Sequence, residues 1–215
     1  MEGEIDHRAT RRDFRAGTLA RADLNPDPWV QMQRWLEEAE RAGNFDPTAM
    51  ALATADGGGF PNVRYVLLKH FDARGVCWYT DSRSQKGQEL AANARAALAF
   101  YWPELDRQLR LQGEVFLLPE SDAESYFRQR PIGSRLAAAA SEQSREIVDR
   151  AHLEARVAEL AARYPDGDVP RNPAWRGYRL APQRFEFWQG GSSRLHDRFV
   201  YTRNEESWRI TRLMP

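Results

Sequence analysis

Apolar residues recur along this chain at two periods, and the changes of period divide it into elements. Asn25–Pro28 are turn formers; beyond them Trp29, Met32, Leu36 and Ala39 share one helical face. Asp27 is placed to cap that helix, Pro28 suits its first turn, and Gly43 marks its end. The period then shifts. Thr48–Ala55 and Asn62–Lys69 read as strands joined by Asp56-Gly57-Gly58-Gly59, a hairpin signal, and Gly75–Thr80 as a third strand. A helix is expected over Ser82–Asn93, with Ser82 and Gln85 at capping-box spacing. Ala96–Trp102 and Arg107–Leu118 read as strands, and Ser121–Arg128 as a helix opened by Ser121 and Glu124. The stretch 133–164 is helical by composition, and 165–175 is a Pro-rich connector. Four short strands close the chain: Gly177–Leu180, Arg184–Trp188, Arg198–Arg203 and Trp208–Arg212.

Strands at both ends with helices between them lack the alternating rhythm of a parallel sheet. The pattern predicts a mainly β fold with α-helices, an antiparallel barrel with helices packed outside. Residues 1–26 are polar and aperiodic, an expected arm or lid, and 27–215 read as one domain.

Composition narrows the partners. Thirty-one basic residues balance thirty-one acidic ones, so no charge excess points to nucleic acid or an anionic membrane. No apolar run approaches the roughly 18 residues of a membrane span, and the first residues lack a secretory signal's apolar stretch. A cytoplasmic protein is the expectation. The single Cys77 excludes an internal disulfide, and four histidines without ligand spacing argue against a metal site. Of the thirty-one basic residues only Lys69 and Lys86 are lysines. Arginine does not replace the compact ammonium everywhere, which marks both positions.

Cationic and hydroxylic groups gather in four segments. VRYVLLKH carries Arg64 and Lys69 five positions apart, which on one strand puts them on opposite faces. YTDSRSQKG leads from a strand into a helix N-terminus, where free N–H groups, Thr80, Ser82, Ser84 and Lys86 could hold an anion. An ordinary capped helix would look the same. SYFRQRPIGS places Tyr126, Arg130 and Ser134 at i, i+4 and i+8, around a corner made by Pro131. A phosphate-sized anion fits there, and so does a solvated basic face. In EFWQGGSSRLHDRF, Arg194, His196 and Arg198 alternate and would share one face of an extended segment. Two flanking arginines favour the neutral form of His196.

The chain resembles the pyridoxine/pyridoxamine 5′-phosphate oxidase family over roughly residues 11–215. The resemblance rests on RRDF (11–14), DPTAMALAT (46–54), VRYVLLKHFD (63–72), WYT with SQKG (78–87), RQLRLQGEV (107–115), YFRQRPIGS (126–134), SEQS (141–144) and EFWQGGSSRLHDRFVY (186–201). It implies an FMN-binding split β-barrel, a homodimer with FMN at the subunit interface, and oxidation of a phosphorylated B6 vitamer to pyridoxal 5′-phosphate with O2 reduced to H2O2. By matched position, FMN contacts would come from Arg64, Val66, Leu67, Lys69, Tyr79, Thr80, Gln85, Lys86, Gln108, Gln143, Ser144, Trp188 and Arg198. The substrate would be bound by Arg11, Phe14, Lys69, Tyr126, Arg130 and Ser134, with Arg194 and His196 as the catalytic pair at its ring.

Three departures stand out. Gln85 replaces the Arg of a common S-R-K string, Phe14 stands where Tyr is common, and LAAAAS (136–141) lacks a tryptophan often found before S-x-Q-S. Two other functions fit the same pattern: a phenazine-type FMN oxidase, or a non-catalytic split-barrel protein binding flavin or pyridoxal phosphate. The phosphate-binding string separates the first, and the presence of Arg194 and His196 the second.

Overall fold

The computed structural model describes residues 7–10 and 12–215. The chain forms two compact units, one of Met1–Pro47, Phe100–Arg110 and Arg184–Pro215, the other of Thr48–Ala99 and Leu111–Gln183. In order, the elements are α1 (Pro28–Arg41), β1 (Ala49–Ala55), β2 (Pro61–Leu67), β3 (His70–Asp72), β4 (Gly75–Asp81), α2 (Gln85–Ala92), β5 (Arg95–Trp102), β6 (Arg107–Leu117), α3 (Glu120–Gln129), α4 (Ile132–Ala140), α5 (Arg150–Arg163), β7 (Trp175–Gln189), β8 (Asp197–Asn204) and β9 (Ser207–Leu213). The class is as expected: mainly antiparallel β, with five helices among the described residues.

In the first unit, Asp27 caps α1 by accepting from the Trp29 N–H, and the helix buries Trp29, Met32, Leu36 and Ala39 as the spacing predicts. Trp35 adds the largest anchor, meeting Phe187 edge-on at 4.9 Å and Trp102 at 6.3 Å. The end of β7 pairs antiparallel with β8, and β8 with β9. Phe185 and Phe187 of β7 are fully buried on one side of the strand, and Glu186 between them is buried on the other, where it holds Arg198.

In the second unit the hairpin forms as read, with Ala49 opposite Leu67 and Ala55 opposite Pro61. β1 also pairs with β5, and β4 with β3 and the start of β7. Leu52, Val76, Trp78, Leu98 and Leu180 form fully buried parts of its core. The lone Cys77 is fully buried in β4, and burial pushes its thiol pKa up despite the neighbouring Arg179.

Several expected boundaries move. α2 starts at Gln85, not Ser82. Asp81 holds the Arg83 N–H and guanidinium, and Ser82 donates to the Ala174 carbonyl, so Ser84 becomes the cap and accepts from the Gly87 N–H. Gln85 is therefore the first helical residue rather than the third of a capping box. α3 starts at Glu120 after Pro119, and Ser121 makes no cap. The helical stretch 133–164 is two helices: Ser141 ends α4, and Asp149 starts α5 by accepting from the His152 N–H. Polar side chains in SEQS and at Asp149 compete for backbone groups and favour such ends. β2 ends at Leu67, with Lys69 beyond it. Gly177–Leu180 and Arg184–Trp188 belong to one 15-residue strand, β7. Its pairing with β4 runs to Leu180 and its pairing with β8 begins at Arg184, so Pro182, which has no N–H, falls between the two ladders.

One close approach in the second unit gives a test. A Cβ at Gly113 of β6 would overlap the Ala181 carbonyl of β7, and backbone cannot give way as a side-chain tip can. Gly113→Ala should destabilise the protein by about 1–3 kcal/mol, the usual cost of overpacking. Denaturant unfolding checks it, and an unchanged midpoint would show that the two strands are not held that tightly.

Candidate active site

The second unit contains an open cavity of about 660 Å³ lined by Arg64–Leu67, Lys69, Tyr79, Thr80, Lys86, Tyr126, Gln129, Arg130, Pro131, Ser134, Gln143 and Trp175. Both lysines of the chain face it. Arg64 and Lys69 line the same cavity rather than opposite faces, because β2 ends at Leu67 and the alternation does not extend to Lys69. Tyr126, Arg130 and Ser134 do meet at the corner the proline makes: α3 ends at Gln129, Arg130 is extended, and Pro131 caps α4.

Lys86 enters from the first turn of α2 and is only 8% exposed. Its ammonium donates to Thr80 Oγ1 (3.2 Å), Ser84 Oγ (3.3 Å) and Gln143 Oε1. All three are neutral oxygens. The nearest acids are committed elsewhere: Asp81 to Arg83 at 2.6 Å, and Glu89 to Arg64 at 3.2 Å and to Asn62 at 2.7 Å. Burial, then the Arg64 charge, pull the Lys86 pKa down to about 8, with Asp81 and Glu89 opposing. The site thus holds an ammonium that its protein partners do not neutralise.

Arg130 has the same character by other means. Its guanidinium lies over the Trp175 ring at 5.0 Å, and its Nη1 is buried without a hydrogen-bond partner. Burial lowers its pKa, and no carboxylate offsets that. Among the arginines of this unit, Arg64, Arg83 and Arg171 each hold an acid.

Other expected cofactor residues fall at different places. Gln85 is exposed at the start of α2 and does not line the cavity, since the helix begins one residue before Lys86. Arg83, its nearest cationic substitute, is bound to Asp81 and the Ser141 carbonyl. Gln143 lines the cavity, whereas Ser144, at φ 71°, lines an adjacent one of about 350 Å³.

In the first unit a second group gathers. Phe14 packs edge-on against Trp188 (5.5 Å) and His196 (5.3 Å), and lies so close to Gly190 that a Cβ there would overlap it. Asp106 fixes that segment, accepting from Arg12 at 2.5 Å and from the Arg15 and Ala16 N–H groups. Arg11 lies outside the described residues. His196 Nδ1 accepts from the Gly191 N–H at 3.1 Å, so the neutral ring carries its proton on Nε2. Burial, with Arg194 and Arg198, lowers the His196 pKa and favours that neutral form, as the flanking arginines suggest.

The expected alternation of Arg194, His196 and Arg198 does not occur. Residues 192–194 form a tight 3-10 turn with Ser193 and Arg194 at positive φ (51° and 65°), and β8 begins only at Asp197. Arg194 instead projects over Phe14 at 5.8 Å, exposed. Arg198 is held by the buried Glu186 at 2.9 and 2.7 Å, and Gln108 is half-buried in β6. Sequence spacing missed Gln129 and above all Trp175, assigned to the Pro-rich connector. Its one signal was a large aromatic residue at a strand start.

Residues 36–164 match the family described as pyridoxamine 5′-phosphate oxidase, and 175–215 match the pyridoxine 5′-phosphate oxidase C-terminal dimerisation region. A pyridoxine/pyridoxamine 5′-phosphate oxidase of Ralstonia nicotianae is 51% identical over 95% of this chain and 97% of its own. One of Rubrobacter xylanophilus is 49% identical, with 95% and 94% covered. Among solved structures, PhzG of Burkholderia lata, in complex with tetrahydrophenazine-1-carboxylic acid, is 38% identical and superposes with a TM-score of 0.86 over 90% of this chain and 95% of its own. A pyridoxamine 5′-phosphate oxidase-related, FMN binding protein of Nostoc punctiforme, 19% identical with a TM-score of 0.71 over 89% of this chain and all of its own, shares the split-barrel fold. The chain belongs to the pyridoxine/pyridoxamine 5′-phosphate oxidase family.

Proposed function

We propose that this chain, as a homodimer, is an FMN-dependent oxidase that converts pyridoxamine or pyridoxine 5′-phosphate to pyridoxal 5′-phosphate, with O2 as acceptor and H2O2 as product. The observation that carries it is Arg130: a buried guanidinium N–H with no partner and no carboxylate. A buried donor left unmade costs about 1–3 kcal/mol, so the fold keeps it for something that arrives. An anion is the group that fits.

The residues present fit the cofactor. FMN and the vitamer bring two phosphates, and the cavity is lined by three cations with no paired acid among the described residues, Lys86 on one side and Lys69 and Arg130 for the other phosphate. Lys86 stands at a helix N-terminus among hydroxyl and amide groups, the donor set of a phosphate site. Lys86 would hold the FMN phosphate with Thr80 and Gln143; Arg130, Tyr126, Ser134 and Lys69 would hold that of the substrate. FMN, when bound, would supply the two-electron redox chemistry. The chain's own part is to bind, orient and balance charge. His196, neutral with its proton on Nε2, would donate to the ring of the substrate, and Arg194 would bind it opposite Phe14. Phe14 can cover the ring but cannot offer a hydroxyl.

The likeness to PhzG favours a second reading, a phenazine-type oxidase. Such a substrate carries a carboxylate but no phosphate, so Arg130 could meet that carboxylate while Lys69, Tyr126 and Ser134 would have no phosphate to share with it.

Two predictions follow from these charges. The folded-state pKa of Lys86 lies near 8, below the ordinary 10.5, so the unfolded chain binds the extra proton between those values. Stability therefore rises with pH across that window, and the cost of the charged form is fully present below it. Ligand-free Lys86→Met should be more stable than the parent by about 2 kcal/mol at pH 7, the gain disappearing towards pH 10.5. The same variant should bind FMN about 10- to 100-fold more weakly, the worth of one charged hydrogen bond. Denaturation across pH and flavin fluorescence titration measure both; unchanged FMN affinity would remove Lys86 from the site.

Arg130→Ala should cut kcat/KM for pyridoxamine 5′-phosphate by about 10- to 100-fold while sparing weak turnover of unphosphorylated pyridoxamine. Arg194→Ala and His196→Ala should depress both. Steady-state peroxide release decides it. Equal harm from Arg130→Ala to the two substrates would favour the phenazine-type reading.

A further inference from the structure

An arginine that must meet an anion raises a packing problem. A carboxylate would hold the guanidinium in place but would cancel its charge and occupy its N–H groups. An aromatic face attracts the cation through the ring quadrupole and uses none of its in-plane donors. The chain takes the second course at Arg130. The guanidinium carbon stands 5.0 Å from the Trp175 centroid and 6.0 Å from that of Phe127.

Trp175 is itself held on every side. Its ring stacks near-parallel on Tyr79 (5.3 Å, 12°) and Tyr126 (6.0 Å, 19°), and meets Phe127 at 5.3 Å and 67°. Its carbonyl accepts from Arg171 Nη1 at 2.8 Å, and Arg171 is braced by Glu124 at 3.1 Å and Glu120 at 3.3 Å. Only 7% of Trp175 is exposed, yet it lines the cavity. Replacing an acid by this ring leaves Arg130 both fixed and fully charged.

We propose that Trp175 is the positioning residue for the phosphate end of the substrate, seating the Arg130 guanidinium over its ring so that it stands at the cavity wall with no acid to neutralise it. The assignment rests on the reading that Arg130 binds the substrate phosphate. It goes beyond that reading in making affinity for the phosphorylated substrate depend on an aromatic ring that need not touch the phosphate.

The experiment is peroxide release from the FMN-loaded protein with pyridoxamine 5′-phosphate and with pyridoxamine. The variants are Trp175→Met, Trp175→Phe, Arg130→Ala and the double variant Arg130→Ala/Trp175→Met. Trp175→Met should raise KM for the phosphorylated substrate about 5- to 20-fold, with kcat within about 2-fold and the unphosphorylated substrate unaffected. Trp175→Phe, which keeps a smaller ring, should recover most of the loss, leaving KM about 2- to 4-fold high. In the Arg130→Ala background Trp175→Met should add nothing, since its effect passes through the missing guanidinium. A Met penalty that persists in full without Arg130, or one shared equally by the two substrates, overturns the proposal. If Trp175→Met does not fold, Trp175→Phe decides: no selective rise in KM overturns it. Equal harm to the two substrates in Arg130→Ala itself would instead sink the phosphate assignment, and this proposal with it.

Discussion

A cation that must bind an anion cannot be neutralised by its own protein, and the cavity of the second unit is arranged around that constraint. Bare burial of charge is expensive, so each cation needs a support that is not an acid. Lys86 has hydroxyl and amide oxygens, and Arg130 has a tryptophan ring. The acids nearby are kept from interfering by arginines of their own: Asp81 by Arg83, Glu89 by Arg64, Glu124 by Arg171. The abundance of arginine thus acquires a local use. Arg83 and Arg171 each hold an acid and stand outside the cavity lining, whereas Lys86 and Arg130 line it without one.

The first unit meets a different requirement, the orientation of a neutral imidazole. Gly191 fixes the tautomer of His196 through Nδ1, and the left-handed turn at Ser193 and Arg194 lets the chain reverse before β8. Backbone held at such angles costs energy and persists where the surroundings determine it. Phe14, latched through Asp106, completes the enclosure from the N-terminal side.

Much of this was legible in the sequence because it is local. The α1 face, the β1–β2 hairpin and the corner at Pro131 follow from period, turn chemistry and the missing proline N–H. The two lysines stood out against a background of arginine, and both line the cavity. What escaped depends on contacts distant in sequence. The Ala174 carbonyl, which takes the Ser82 N–H, helps move the start of α2 and no local pattern announces it; the Asp81 turn onto Arg83 beside it is local. The alternation expected of Arg194, His196 and Arg198 fails because strand period applies only inside a strand, and β8 begins at Asp197. Trp175 was hidden by its proline-rich approach; its importance comes from tyrosines nearly 100 and 50 residues earlier.

The placement of Cys77 bears on the endurance of such a protein. Under the proposed reaction every turnover releases a peroxide molecule beside the polypeptide. Thiols are oxidised as thiolates, and only where the oxidant can reach them. The single thiol of this chain is sealed in the core of β4 with its pKa pushed up, so it is both inaccessible and protonated. Met32 and Met50 are equally sealed, while Met214 stands exposed near the C-terminus and offers Arg198 only its backbone carbonyl. Sulfur chemistry at that exposed thioether would leave the carbonyl contact in place, and the interior would keep its sulfur in reduced form through many cycles.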